Sequence, residues 1–237
     1  MKLSAPLFKL KHRAKIAARE RQLPLNKSLD LVARQEGFQS WSALASYMGQ
    51  RPLSTTVLNA LDQGNLLLLA GRRGEGKTIL GLQLLLKAAR ESRRAALFTL
   101  EYTSKQALEH LRALDEGHPT SASAVEIHTS DDISADYIIE NLSNAKPGTV
   151  AIIDYLQVLD QQRTKPSLEH QIKRLSEFAK QTGAIIGFIS QIDRTFDAIT
   201  KTVPDVSDIR LPNRIDIGLF DKACFLHRGA AELRCIS

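Results

Sequence analysis

Residues Gly71-Arg72-Arg73-Gly74-Glu75-Gly76-Lys77-Thr78 place glycine, lysine and a hydroxyl at the spacing G-x-x-x-x-G-K-[ST]. Glycines at those positions let backbone N–H groups curl around phosphates. Lys77 then reaches the outer phosphates, and the Thr78 hydroxyl ligates Mg²⁺. A helix beginning at Lys77 and running through Ile79 adds its positive dipole end to the same cradle. Arg73 and Glu75 are unusual inside such a loop. A carboxylate beside a triphosphate costs affinity unless it turns away or pairs with Arg72 or Arg73, so Glu75 is expected to point outward. The second metal position calls for an acid at the end of a buried strand. Val150-Ala151-Ile152-Ile153-Asp154 supplies Asp154, which would hold Mg²⁺ through water. A water nucleophile also needs a base. Tyr155 follows Asp154, so the base must come from elsewhere, and Glu101, after the apolar run Ala95–Leu100, is the best candidate. Gln191 ends another apolar run, where its amide can donate to phosphate.

These residues need a sheet to bring them together. From residue 54 onward, short apolar runs (Leu66–Ala70, Ala95–Leu100, Val125–His128, Val150–Leu156 and Ala184–Ser190) alternate with helical stretches. That alternation predicts an α/β fold with a central, mostly parallel sheet covered by helices on both faces. Lys222–His227 and Glu232–Ile236 are expected to close it as a hairpin turning at Arg228-Gly229-Ala230. Ahead of this domain, residues 7–22, Leu25–Phe38 and the stretch from Ser40 read as three short helices, the second stopped by Gly37. Arg51-Pro52 is the expected linker between a basic helical module, 1–51, and the ATPase domain, 52–237.

The segments resemble, in order, the C-terminal ATPase domain of DnaB-type replicative helicases, a RecA-like P-loop NTPase fold. GRRGEGKT resembles the family's phosphate loop, and Leu97-Phe98-Thr99-Leu100-Glu101 its strand ending in the catalytic glutamate. Ile152-Ile153-Asp154-Tyr155-Leu156-Gln157 is similar to its second metal-binding segment. Phe188-Ile189-Ser190-Gln191-Ile192-Asp193-Arg194 resembles the strand ending in a glutamine that senses the γ-phosphate. Ser207-Asp208-Ile209-Arg210 and Phe225-Leu226-His227-Arg228 resemble the last two stretches. The resemblance implies ATP and Mg²⁺ as cofactors, catalysis through Lys77, Glu101 and Gln191, and a hexameric ring around single-stranded DNA. The loop Ile192–Asp221, with Arg194, Lys201, Arg210 and Arg214, would line the channel and contact phosphates without reading sequence.

Two departures bear on function. The basic segment 1–51 does not resemble the family's N-terminal helical domain. The sequence also stops at Ser237, before a matching Lys-x-Arg pair, so the trans-acting arginine finger is expected to be missing or replaced by Arg228 or Arg234. Such a finger contributes on the order of 10³-fold or more to turnover. The first reading is therefore an ATP-hydrolysing, DnaB-like helicase-type protein acting on single-stranded DNA. The alternative is a non-motor switch or loader regulating other proteins. A nucleic-acid-binding module with structural ATP comes third, against the intact Lys77, Thr78, Glu101, Asp154 and Gln191.

Composition narrows the setting. The 237 residues are 43% hydrophobic, without a membrane-length apolar run. The N-terminus has scattered charge and no signal-peptide pattern, so the expected location is the cytoplasm. Cys224 and Cys235 are expected as buried free thiols. Of the net +6, residues 1–51 carry ten Lys/Arg against three Asp/Glu, while the remainder is nearly neutral. That asymmetry points to nucleic acid or a protein partner for the N-terminal module.

Overall fold

The computed structural model describes residues 4, 7–44, 52–115, 119–160, 166–193, 196, 204–209, 215–228 and 230–236. The chain divides into two compact units, Met1–Pro52 and Leu53–Ser237.

The larger unit is built on seven strands: β1 (Leu66–Gly71), β2 (Ala95–Thr99), β3 (Val125–His128), β4 (Val150–Asp154), β5 (Ile185–Gln191), β6 (Lys222–His227) and β7 (Ala230–Cys235). Their order is β3-β2-β4-β5-β1-β6-β7. All neighbouring pairs are parallel except β6 and β7. β1, β2 and β4 are buried along their whole length. This is why their sequences read as continuous apolar runs rather than alternating ones. β4 ends at Asp154, and Leu156–Asp160 turns into a 3₁₀ helix instead of prolonging the strand. β7 begins two residues earlier than its apolar pattern suggests.

Alternate side chains divide into two cores. On one face, Leu67, Leu97, Ile152 and Ile189 pack with Leu82 and Leu85. The latter belong to the helix Lys77–Arg90. On the other, Leu68, Phe98, Ile153 and Phe188 pack with Ile172 and Leu175, from the helix Leu168–Thr182. Gly81 lets the first helix lie close on the sheet: a Cβ there would sit 3.1 Å from Ile152 and 3.2 Å from Ile189. Beyond β5, Ile192 bridges Ile209 in antiparallel fashion, and Asp193 N–H donates to the Asp208 carbonyl at 2.7 Å. This part of the expected loop is therefore tied down at its base.

The smaller unit contains helices Leu7–Glu20 and Leu25–Gln35 and a helical stretch at 41–44. Leu10, Ala14, Val32, Ala33 and Leu44 form its core, with Phe38 and Trp41 packed against it. Gly37 has φ of 85°, a left-handed conformation that glycine adopts without steric cost and that ends the second helix. Asp30 fixes the next turn by accepting the Trp41 N–H at 2.8 Å.

The cysteines differ from expectation in one respect. Cys224 is buried and its thiol is pushed up to about 12 by burial, but Cys235 is exposed. It lies on β7, an edge strand whose side chains are mostly exposed or half-buried. Among the described residues, no helix is long and apolar enough to cross a membrane.

Candidate functional site

The register of the sheet decides which side chains meet. Gly71 pairs with Gln191, and Thr99 pairs with Asp154. The carboxyl ends of β1, β2, β4 and β5 therefore open along one edge, where ligands bind in open α/β sheets. Side chains alternate across a strand. Ile152 and Ile189 face the helix Lys77–Arg90, so Asp154 and Gln191, two positions further along, face the same side.

Between β1 and that helix, Gly74 and Gly76 have φ of 85° and 84°. A side chain would find open space at either, so the conformation, not crowding, calls for glycine. Gly71 is different: an added Cβ would sit 2.9 Å from the Leu226 carbonyl oxygen. Lys77 is buried and donates from Nζ to the Arg72 carbonyl at 2.8 Å, bracing the loop from within. On the other flank, the N–H of Glu101 donates to Thr99 Oγ1 at 3.0 Å. The following helix, Ser104–Leu114, starts with a capping box between Thr103 and Gln106. Glu101 therefore precedes the cap and does not serve as it.

These residues surround a cleft of about 900 Å³. Arg72, Arg73, Gly74, Gly76, Lys77, Thr78 and Ile79 line one wall, with Glu101, Asp154 and Gln191 opposite. Gly71 lies behind the cleft in the sheet, and Glu75 is not part of its lining. The carboxylate of Glu75 does not point outward to solvent as expected. It accepts the Arg228 N–H at 2.6 Å and lies 3.5 Å from His227 Nδ1, so it anchors the phosphate loop to the end of β6. Tyr102, Tyr155, Ile189 and Ile192 also line the cleft. In the sequence, only their adjacency to the named residues marks them. Arg194, Lys201, Arg210 and Arg214, the expected nucleic-acid contacts, lie outside the described residues.

Electrostatics follow from burial. Asp154 is 2% exposed. Desolvation raises its carboxyl from the usual 3.8 to about 6. A hydrogen bond from Thr78 and the charge of Lys77 oppose the rise, while Glu101 adds to it. Burial lowers the Lys77 ammonium, against the attraction of Asp154, Glu101 and Glu75. Burial, with the charges of Asp154 and Glu101, raises the Tyr102 phenol. Asp154 Oδ2 is buried without a hydrogen-bond donor. A buried acceptor left without a partner is costly, and this one beside the Thr78 hydroxyl suits a hydrated divalent cation. No cluster of three or more His, Cys, Asp or Glu forms a metal site among the described residues. That is consistent with Mg²⁺, which takes one or two protein ligands plus waters and substrate phosphates.

No protein-family model matches the chain, and no curated protein matches it in sequence. Among solved structures, the chain is similar to the ATPase domain of a DnaB-like replicative helicase. The TM-score is 0.57 at 19% identity, over 79% of this chain and 81% of that one. It is also similar to a second DnaB-like replicative helicase, solved to show its interactions with primase. There the TM-score is 0.58 at 18% identity, over 93% of this chain and 65% of the helicase. The fold is RecA-like, that of DnaB-like helicase ATPase domains. Coverage of 93% also carries the second match into the N-terminal unit, where the sequence offers no resemblance. In this RecA-like frame the phosphate loop, Glu101, Asp154 and Gln191 sit at the ends of β1, β2, β4 and β5. The chain spans just under two thirds of the second helicase's length.

Proposed function

We propose that the protein is a Mg²⁺-dependent ATPase of the DnaB-like helicase type acting on single-stranded DNA. The observation that carries this reading is the convergence of Lys77, Thr78, Glu101, Asp154 and Gln191 on one cleft. Residues Gly71–Thr78, with Ile79, would hold the phosphates, and Thr78 and Asp154 the metal. When bound, Mg²⁺ neutralises phosphate charge. Lys77 supplies a fixed cation to the outer phosphates. The carboxylate of Glu101 takes a proton from a water whose oxygen forms the new bond to the γ-phosphorus. The bond from that phosphorus to the β–γ bridging oxygen breaks, and its electron pair leaves with ADP. Gln191 donates to the γ-phosphate. It stands one residue before the Ile192–Ile209 bridge, at the base of the segment carrying Arg194, Lys201, Arg210 and Arg214, which would hold the DNA backbone.

A second reading, a nucleotide switch or loader without motor action, is favoured by the state of Arg234. Its guanidinium is forked to Glu232 at 2.9 and 3.1 Å and lies over the Phe225 ring. It would have to leave both to serve a neighbouring subunit. Steady-state ATP turnover with and without single-stranded DNA, alongside the mass of the protein in ATP, separates the two. DNA-stimulated turnover by a ring supports the motor. Unstimulated turnover by a monomer or dimer selects the switch, and no turnover at all sinks both.

A further inference from the structure

The N-terminal unit carries an unneutralised cationic surface. Lys11, Lys15, Arg19, Arg21, Lys27 and Arg34 are exposed. None of them makes an ion pair among the described residues. In the larger unit, by contrast, Arg90, Arg94, Lys173, Arg174, Lys222 and Arg234 are each matched by a carboxylate. The difference has a local cause. The small unit's described carboxylates are few, and two of them are committed internally. Asp30 accepts the Trp41 N–H, and Glu36 accepts both the N–H and the hydroxyl of Ser4. Arg13 is drawn to the same Ser4 hydroxyl at 3.4 Å, which leaves the other cations facing solvent.

Their arrangement is ordered. Lys11, Lys15 and Arg19 follow one another at i, i+4 and i+8, so they form one stripe along the helix Leu7–Glu20. Leu10 and Ala14 bury the opposite side in the unit's core. The stripe extends roughly 12 Å at 1.5 Å per residue. It is held on a packed helix and is therefore preorganised.

We infer that this stripe is a docking surface for double-stranded DNA, read through its phosphates and not its bases. Single strands are held chiefly by stacking bases on exposed aromatic rings. Here Phe38 and Trp41, the unit's described aromatic side chains, are packed against its core and cannot offer such a platform. A duplex concentrates phosphate charge at one per ~1.7 Å of axis, and its B-form major groove, ~12 Å wide, admits an α-helix. The A-form groove of RNA is too narrow for one. The inference does not rest on the nucleotide reading.

The test uses the full chain and two fluorescent probes of equal length, a mixed-sequence DNA duplex and its single strand, titrated over a range of salt. In K11Q/K15Q/R19Q the helix keeps good formers but loses three cations. Losing three phosphate contacts should make the log–log salt slope for the duplex shallower by about 3. The charge-retaining variant K11R/K15R/R19K should bind like the parent. Circular dichroism checks that the helices persist, and nucleotide binding should be unchanged. An unaltered slope in the glutamine variant overturns the inference and leaves an acidic protein surface as the partner. Tighter binding of the single strand than of the duplex by the parent also overturns it. Loss of ATP turnover with intact duplex binding would strike only the nucleotide reading.

Discussion

Arg72, on the wall of the cleft, donates from Nη2 to the carbonyl of Phe196, and its guanidinium lies over the ring of the same residue, 5.3 Å from the centroid. Phe196 is buried and meets His227 edge-on at 5.3 Å between centroids. His227 lies beside Glu75. Two charged residues of the phosphate loop thus clasp the segment after β5 and the end of β6. The hydrogen bond goes to backbone, so Phe196→Leu removes only the ring contact. A double-mutant cycle of Arg72→Ala and Phe196→Leu, read by urea denaturation, should yield a coupling of about 0.5–1 kcal/mol. Strict additivity would mean that the stacked geometry contributes nothing to stability.

Lys77 is the cation that the phosphate loop turns inward, bonded to the Arg72 carbonyl. Lys77→Ala removes both that brace and the charge meant for the outer phosphates. The expected result is loss of tight ATP binding, measured by calorimetry, with the domain still folded. Unchanged affinity would remove nucleotide binding from this loop.

The Asp154 carboxyl, raised from 3.8 to about 6, ties both stability and metal binding to pH. Between these values the native state holds a proton that the unfolded state has released. Native stability is therefore highest below pH 4, declines as pH rises through about 6, and is flat above. The full swing is up to about 3 kcal/mol at 1.36 kcal/mol per unit. Without nucleotide or metal, Asp154→Asn should be more stable than the parent at pH 7, and the gap should close below pH 4. Metal binding needs the ionised carboxylate, so Mg²⁺-dependent affinity for ATP should fall as pH drops through about 6 in the parent and lose that dependence in the variant. A parent less stable at pH 4 than at pH 7 by a margin that Asp154→Asn leaves untouched would refute the assignment.

What the sequence discloses and what it does not divide along separation in the chain. The phosphate loop is legible because its glycines, Lys77 and Thr78 are neighbours, and their spacing is the signal. Asp154 is legible because an acid closing a fully apolar run has few other uses. The alternation of runs and helices likewise predicts a parallel sheet. The orientation of Glu75 is not legible, because its partner, the N–H of Arg228, is 153 residues away. The contact of Arg72 with Phe196 spans 124 residues. Neither leaves a local period or motif, since both exist only once β6 and β5 flank β1. The apolar neighbours of Cys235 suggest burial, yet an edge strand exposes side chains that a central strand would bury. The strand order is equally a product of the packed whole.

Glu101 is the residue on which hydrolysis, as distinct from binding, depends in the proposed mechanism. It stands two residues after Thr99, which is opposite Asp154 in the register, and its own N–H is held by the Thr99 side chain at 3.0 Å. The capping box at Thr103 and Gln106 fixes the helix that follows. The peptide carrying Glu101 is therefore held on both sides, while its carboxylate is exposed at the cleft. Glu101→Gln keeps the shape and a hydrogen-bond acceptor for water but cannot take a proton. General-base catalysis contributes typically 10²–10⁴-fold, so turnover should fall by roughly that factor while ATP affinity stays within about twofold. The charge change also alters Asp154, because the Glu101 charge contributes to the raised carboxyl. Its removal should bring the midpoint of Mg²⁺-dependent binding to lower pH, a shift that a purely structural role would not produce. Single-turnover hydrolysis and nucleotide binding, each followed from pH 5 to pH 8, measure both effects. Hydrolysis within a few-fold of the parent would move the base to another residue of the cleft, and Tyr102 and Tyr155 would be the first positions to replace.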